Sequence, residues 1–343
     1  MNRKFKTIAA AVLLISVAFL MGSCKQEPVT FVQRTKVLEV GETSILAHNG
    51  GKDVDWSVFY PSGDTIAWLY ADGRVAGLKA GNGFCRVTAT GRNGATDHCD
   101  VSVKAYIRPQ TPLELYKDDT SSFYMAIGRD AEIHADGFYI KSIKNRGVFS
   151  IFDPQPLVVE ANHVGETFIR FYDRETEGNV VDTGLLVKIQ PRYPNYWQAV
   201  DFDDTQDSVR MKLGTSFVED ITDEGDLRWM YLNCQSAVLL LVDFDQNYDN
   251  ALVKSYGAAY SSEETKMEVM ASIKERCEYY GSLVGTDFYF SADVVVGTQE
   301  NDGFLVLAVV SNSSKTLEAS EVAINKSEED YLQALIKSIE TIK

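Results

Sequence analysis

Histidine is scarce in this chain of 343 residues: there are four, at positions 48, 98, 134 and 163, and none follows residue 163. A Ser-His-Asp or Cys-His system built wholly within the C-terminal half is therefore excluded, because both need an imidazole as base. No C-x-x-C, H-E-x-x-H, G-x-S-x-G or phosphate-cradling glycine loop occurs, which removes zinc ribbons, thioredoxin-type redox sites, zincins, serine hydrolases of that type and P-loops. Basic residues are also short, 33 Lys and Arg against 49 Asp and Glu. Such a field repels nucleic acid and anionic headgroups, so no nucleic-acid partner is expected. No apolar run reaches the roughly 20 residues that cross a bilayer as a helix.

The longest apolar run is residues 8–20, interrupted only by Ser16 and preceded by Arg3, Lys4 and Lys6. Leu20-Met21-Gly22-Ser23-Cys24 closes it with small residues before a cysteine. A positive n-region, a short apolar core and a small-residue exit make a secretory signal. The segment resembles a bacterial lipoprotein signal, with Met21 standing where Leu is usual. The resemblance implies cleavage of residues 1–23, lipid attachment at Cys24, and a polar tether over 24–33. The remainder carries 30 basic and 49 acidic residues, a formal charge of −19. Its membrane contact is then expected from the lipid and not from a basic face. Lys25 replaces the Asp that retains lipoproteins at the inner membrane in enteric bacteria, so the expected location is the outer membrane, facing either the periplasm or the cell surface.

From Thr35 the pattern becomes short alternating strands broken by Gly and Asn/Asp turns, the mark of a β-sandwich. Trp56-Ser57 and Ile66-Ala67-Trp68-Leu69 are followed by Asp72-Gly73-Arg74-Val75-Ala76-Gly77-Leu78-Lys79-Ala80-Gly81 and a closing hairpin to Val103. This succession resembles the bacterial Ig-like domain of group 2 (BIG2), and the spacing assigns Trp56 and Trp68 to its core. The resemblance implies display and binding rather than chemistry. Residues 106–192 read as a degenerate second copy, in which residues 127–133 echo the opening strand and 157–169 echo the Val-x-Gly-x-x-Ala-Gly run. The expected organisation is 1–23 signal, 24–33 anchor and tether, 34–105 and 106–192 Ig-like, and 193–343 an α+β domain. The fold class is mainly β: two tandem Ig-like sandwiches, then two helices on an antiparallel sheet.

In that last domain Ser261 with Glu264 and Ser327 with Asp330 are capping-box starts. The first helix is expected to bury Met267, Met270, Ile273 and Cys277; the second, Leu332, Leu335, Ile336 and Ile339. Each follows a pair of strands (237–242 and 251–260; 303–310 and 319–325), with extra strands at 208–217 and 227–234.

Three constellations are candidates for chemistry. Asp243, Asp245, Asn247 and Asp249 have calcium-loop spacing, but Tyr248 sits at the glycine position and Lys254 where a bidentate Glu belongs. A polar turn between strands explains the same residues. Tyr193, Tyr196 and Trp197 could grip a sugar ring or fill an interdomain contact. Cys85 and Cys99 flank a hairpin and are a candidate disulfide, with Cys234–Cys277 the weaker pair. Apart from that calcium loop no cofactor is expected. The composite expectation is a non-enzymatic surface protein that binds or adheres to a protein or glycan ligand. The alternatives are a glycan-capture lipoprotein of a polysaccharide-uptake system and a carboxylate-dependent glycosidase.

Overall fold

The computed structural model describes residues 28–51, 53–144, 155–174, 179–222, 225–245, 251–283, 285–301 and 303–311. Cys24, Asn247, Asp249, the expected strand at 319–325 and the expected helix from Ser327 lie outside the described residues. The described chain is mainly β, with 23 strands and two helices.

The first seven strands are β1 (Thr35–Glu39), β2 (Thr43–Ile45), β3 (Val54–Phe59), β4 (Ala67–Leu69), β5 (Arg74–Gly77), β6 (Cys85–Gly91) and β7 (Thr96–Lys104). They form a sheet of order β1-β7-β6-β3 and a smaller sheet β2-β5-β4, with β1 and β7 parallel. Strict alternation sends Leu38, Val75, Val87 and Val101 inward, where they are fully buried. The same alternation corrects the reading of Trp68. Its neighbour Ala67 points inward, so Trp68 stands on the outer face, 55% exposed. Trp56 packs on the core as expected, over a turn that needs Gly73: its φ is +80°, and a Cβ there would meet the indole at 2.3 Å.

Strands β8 (Tyr106–Arg108), β9 (Leu113–Tyr116), β10 (Thr120–Ala126), β11 (Ala131–His134), β12 (Ile140–Lys144), β13 (Gln155–Ala161), β14 (Gly165–Asp173) and β15 (Val180–Gln190) form two further sheets, β9-β15-β14-β11 and β12-β13-β10-β8. The first of these has the order and sense of β1-β7-β6-β3, including a parallel β9–β15 pair. Residues 157–169 fall on β13 and β14, the counterparts of β5 and β6. Residues 127–133 do not match the opening strand, whose counterpart is β9; Ala131 begins the counterpart of β3. The two groups share one buried apolar cluster. Gly128 makes the close approach between them: its Cβ would sit 2.0 Å from the Leu78 carbonyl oxygen.

Cys85 and Cys99 are free and buried. They share the inward face of β6 and β7, but Cys85 is opposite Val101 and Cys99 opposite Val87. Diagonal positions lie about 7–8 Å apart across a sheet, beyond the reach of a relaxed disulfide. Cys234 and Cys277 are also free.

The remaining elements are helix α1 (Gln206–Leu213), strands β16 (Val218–Ile221), β17 (Leu227–Cys234), β18 (Ala237–Phe244) and β19 (Val253–Tyr260), helix α2 (Glu263–Arg276), and strands β20 (Glu278–Leu283), β21 (Thr286–Phe290), β22 (Val294–Asn301) and β23 (Phe304–Ser311). One eight-stranded sheet results, in order β16-β17-β18-β19-β23-β22-β21-β20. The order is palindromic: two four-strand meanders meet antiparallel at β19 and β23. The expected strand at 208–217 is instead α1. Thr205 caps it by accepting from the Ser208 amide at 3.3 Å, with Asp207 in the first turn and Arg210 and Lys212 in the last. Helix α2 begins one residue later than expected, with Ser262 as N-cap and no side-chain capping bond. Val269 and Ile273 are its fully buried apolar residues, whereas Met267 faces solvent. Strands β20, β21 and β22 had no counterpart in the sequence reading.

The two helices cover one face of this sheet, where Val209, Val269 and Ile273 join Trp229, Val242, Tyr256, Val296 and Leu307 in a single core. The opposite face carries a second apolar cluster that includes Ala259, Phe288, Val295, Val306, Ala308 and Val310.

Candidate functional site

The last turn of α2 and the edge strand β20 meet the β12–β15 region at an open cleft of about 690 Å3. His163 forms its inner wall. The residue is buried, stacks on Phe138 with ring centroids 4.5 Å apart, and places Nδ1 2.8 Å from the Phe138 carbonyl oxygen. The Cys277 backbone also hydrogen-bonds the imidazole. Burial holds its pKa below the usual value, reinforced by the nearby Lys117.

A histidine from the preceding sheets thus reaches the last domain, which the sequence left unsupported. It sits beside Cys277, but no nucleophile results. Burial pushes the Cys277 thiol up to about 12, and the imidazole is engaged with backbone groups instead of the sulfur.

The outer wall is aromatic and polar. Tyr279 and Tyr289 lie opposite each other on β20 and β21, with ring centroids 5.4 Å apart. Burial, with Asp287 and Tyr279 nearby, raises the Tyr289 pKa. Tyr279 is 54% exposed, and its hydroxyl lies 2.9 Å from the Ser282 hydroxyl, which in turn bonds Asp287. Lys117, Lys274, Asn162 and Glu278 complete the lining. Among the described residues, neither Lys274 nor Glu278 has an ion-pair partner. The arrangement offers one open ring face ringed by donors and acceptors, which suits recognition of a polar ligand with an apolar face.

A larger cleft of about 740 Å3 lies between the first two pairs of sheets, lined in part by Glu39, Lys104, Arg108 and Gln110. Its charges are spent on one another. Glu39 accepts from Arg108 at 2.7 Å and lies 3.5 Å from Lys104. Burial acts to raise the Glu39 pKa, but the Arg108 guanidinium overrides it and holds the carboxyl low. This cleft is a joint.

Of the aromatic residues singled out from sequence, Trp197 and Tyr196 pack on the core under the helices, whereas the Tyr193 side chain is exposed. Trp197 is buried in the core under the helices, which corrects its reading as a ligand contact. The Tyr196 carbonyl accepts from the Tyr260 hydroxyl at 3.1 Å, and the Tyr193 carbonyl accepts from Arg276 at 2.9 Å. None of the three lines the cleft.

Of the four residues of the calcium reading, Asp243 and Asp245 are described. Asp243 is buried and takes a bidentate bond from Arg228, at 2.6 and 2.8 Å, plus the Ser255 hydroxyl at 3.1 Å. Both oxygens are engaged within the protein, which accounts for Asp243 as a structural partner of Arg228. Asp245 follows and is exposed. Among the described residues no cluster of carboxylates, histidines and cysteines could hold a metal ion. The signal for the cleft was present in sequence as the adjacent Tyr279-Tyr280 after Cys277. It was missed because strand β20 itself was not read.

No family model matches this chain, and no curated protein matches it. Solved structures with some likeness include tandem Ig domains of titin, at 15% identity over 48% of this chain and 97% of that one, TM-score 0.17. Another is the SGBP-B protein of the Bacteroides ovatus mixed-linkage glucan utilization locus, solved with a mixed-linkage heptasaccharide. It is 12% identical over 68% of this chain and 62% of that one, TM-score 0.19. A protocadherin gammaB7 EC3-6 structure is 10% identical over 82% and 72%, TM-score 0.19. At these scores the likenesses carry no argument about this chain.

Proposed function

We propose that this chain is a non-enzymatic binding or adhesion protein whose recognition site is the cleft beside Tyr279. In this reading residues 1–23 are removed, Cys24 is lipidated, and the chain is displayed at the outer membrane. Two Ig-like modules, 34–105 of the BIG2 kind and 106–192 its degenerate copy, form the stalk. The α+β domain 193–343 is the recognising end. The observation that carries the reading is the half-exposed Tyr279 ring at the mouth of an open cleft, beside Lys274 and Glu278, which have no ion-pair partner among the described residues. The second pair of sheets builds one wall of that cleft, so the stalk positions the site as well as displaying it.

Within this reading a glycan is the ligand class best matched by the lining. A tyrosine face receives the apolar side of a sugar ring, while Asn162, Asp287 and Glu278 meet hydroxyls. A peptide running along the exposed edge of β20 is the protein alternative. A glycan and host-matrix array probed with the full chain separates them. Saturable signal on glycans alone supports sugar capture, signal on proteins alone supports adhesion, and silence on both refutes the reading.

A further inference from the structure

Acidic residues outnumber basic ones in this chain, 49 to 33, so a carboxylate without a cation is ordinary and a cation without a carboxylate is not. Among the described residues, Lys36, Lys117, Arg170 and Lys274 are the lysines and arginines with no ion-pair partner. Two of these, Lys117 and Lys274, line the cleft beside Tyr279, although 157 positions separate them. The Lys117 ammonium donates to the Lys274 carbonyl at 2.7 Å. That bond uses one of its three N–H donors, fixes the group at the end of α2, and leaves two for a ligand. The Lys274 side chain is exposed and makes no hydrogen bond among the described residues. The positive charge is felt within the cleft. Burial and then Lys117 hold the His163 pKa down, and the Glu278 carboxylate opposes them more weakly than Lys117 acts.

We propose that the cleft takes an acidic sugar, its anionic substituent held between Lys117 and Lys274 and its ring laid on Tyr279. This rests on the reading of the cleft as a glycan site and narrows it to sugars bearing a carboxylate or a sulfate. At physiological ionic strength a charge is screened over about 8 Å, so the groups lining the cleft, and not the acidic surface at large, decide what binds. A neutral sugar on Tyr279 would strip water from two ammonium groups and pair neither of them. An anion pairs both, through charge-assisted bonds stronger than those between neutral groups. A lysine ammonium is a compact charge with rotatable donors, and it suits either oxyanion. The carboxylates of the lining limit the affinity. Asp287 accepts from the Ser282 hydroxyl at the aromatic wall, whereas Glu278 acts on the same imidazole as Lys117 and repels the incoming anion.

Calorimetric titration of the full chain tests this with two kinds of paired probe. Uronic acid oligosaccharides are compared with their carboxyl-reduced neutral forms, and sulfated oligosaccharides with their desulfated forms. The acidic member of a pair should bind about tenfold more tightly, and the kind of pair that shows the preference identifies the oxyanion. Lys274→Gln should erase the preference without moving the unfolding midpoint. Glu278→Gln should tighten the acidic member and leave the neutral one unchanged. Equal affinity within every pair overturns the proposal and leaves the glycan reading standing, as does a preference that survives in Lys274→Gln. Silence from every member of every pair removes the glycan reading as well.

Discussion

Glu275 accepts hydrogen bonds from the backbone amide of Arg192 through both carboxylate oxygens, at 3.1 and 3.2 Å. The Tyr193 amide joins at 3.2 Å, and Arg276 returns a bond to the Tyr193 carbonyl at 2.9 Å. The same turn of α2 receives the Val164 amide on the Glu275 carbonyl at 2.9 Å and the Lys117 ammonium on the Lys274 carbonyl at 2.7 Å. One helical turn therefore clamps the Pro191–Pro194 connection to the preceding sheets and sets the width of the cleft. Glu275→Ala leaves two amides unsatisfied and should cost about 2–3 kcal/mol. Glu275→Gln, which keeps one acceptor oxygen, should cost less. Urea unfolding of the three proteins measures both. Equal losses would show that the clamp is only packing.

Arg228 and Asp243 form the buried ion pair of the sheet's second face. Removing one partner strands the other charge, so Arg228→Ala should cost about 3–5 kcal/mol. Replacing both, Arg228→Met with Asp243→Leu, should recover most of that loss. A double-mutant cycle in urea gives the coupling energy. Calcium should leave the midpoint of the parent protein unchanged, because Asp243 is held by Arg228 and Ser255.

The thiols should be silent in the native state. Burial pushes Cys85 up to about 11 and Cys277 up to about 12, and Cys99 is raised from the same cause. At pH 8 a thiol reagent should leave these three unmodified until denaturant is added, and reductant should not shift the unfolding temperature. A drop in that temperature on reduction would reveal a disulfide and contradict the β6–β7 register.

His163 gives the junction a pH dependence of known sign. Burial, then Lys117, depresses its pKa from 6.5, against the pull of the Phe138 and Cys277 carbonyls and the Glu278 carboxylate. The unfolded chain therefore binds the proton more readily than the folded one. Its contribution is fully present above pH 6.5 and is lost as pH falls through the lowered folded value. Unfolding midpoints between pH 7.5 and about 5 should fall more steeply for the parent than for His163→Gln. Parallel curves would remove His163 from the account.

Much of the β architecture could be read from period-two alternation and turn residues, because the Asp72-Gly73 turn and the Val87 and Val101 strands have local signatures. Trp68 takes the outer face because one position of phase decides which face a side chain takes, and the spacing that suits both tryptophans to the core does not fix the phase of β4. Helix α1 was read as a strand although Thr205 and Asp207 carried its start. In Glu278–Asn301 the strands are apolar on both faces in places, so they lack the alternation that marks a half-buried strand. The cleft depends on a contact between His163 and Cys277, far apart in sequence, and no local pattern encodes that.

The most direct test of the binding role is a titration of the strongest array ligand against the full chain and two variants. Tyr279→Ala should weaken binding at least tenfold, while Trp68→Ala, on the far outer face of the first sheets, should bind as the parent does. Unchanged affinity in Tyr279→Ala, or loss in Trp68→Ala, would place recognition elsewhere and contradict the account.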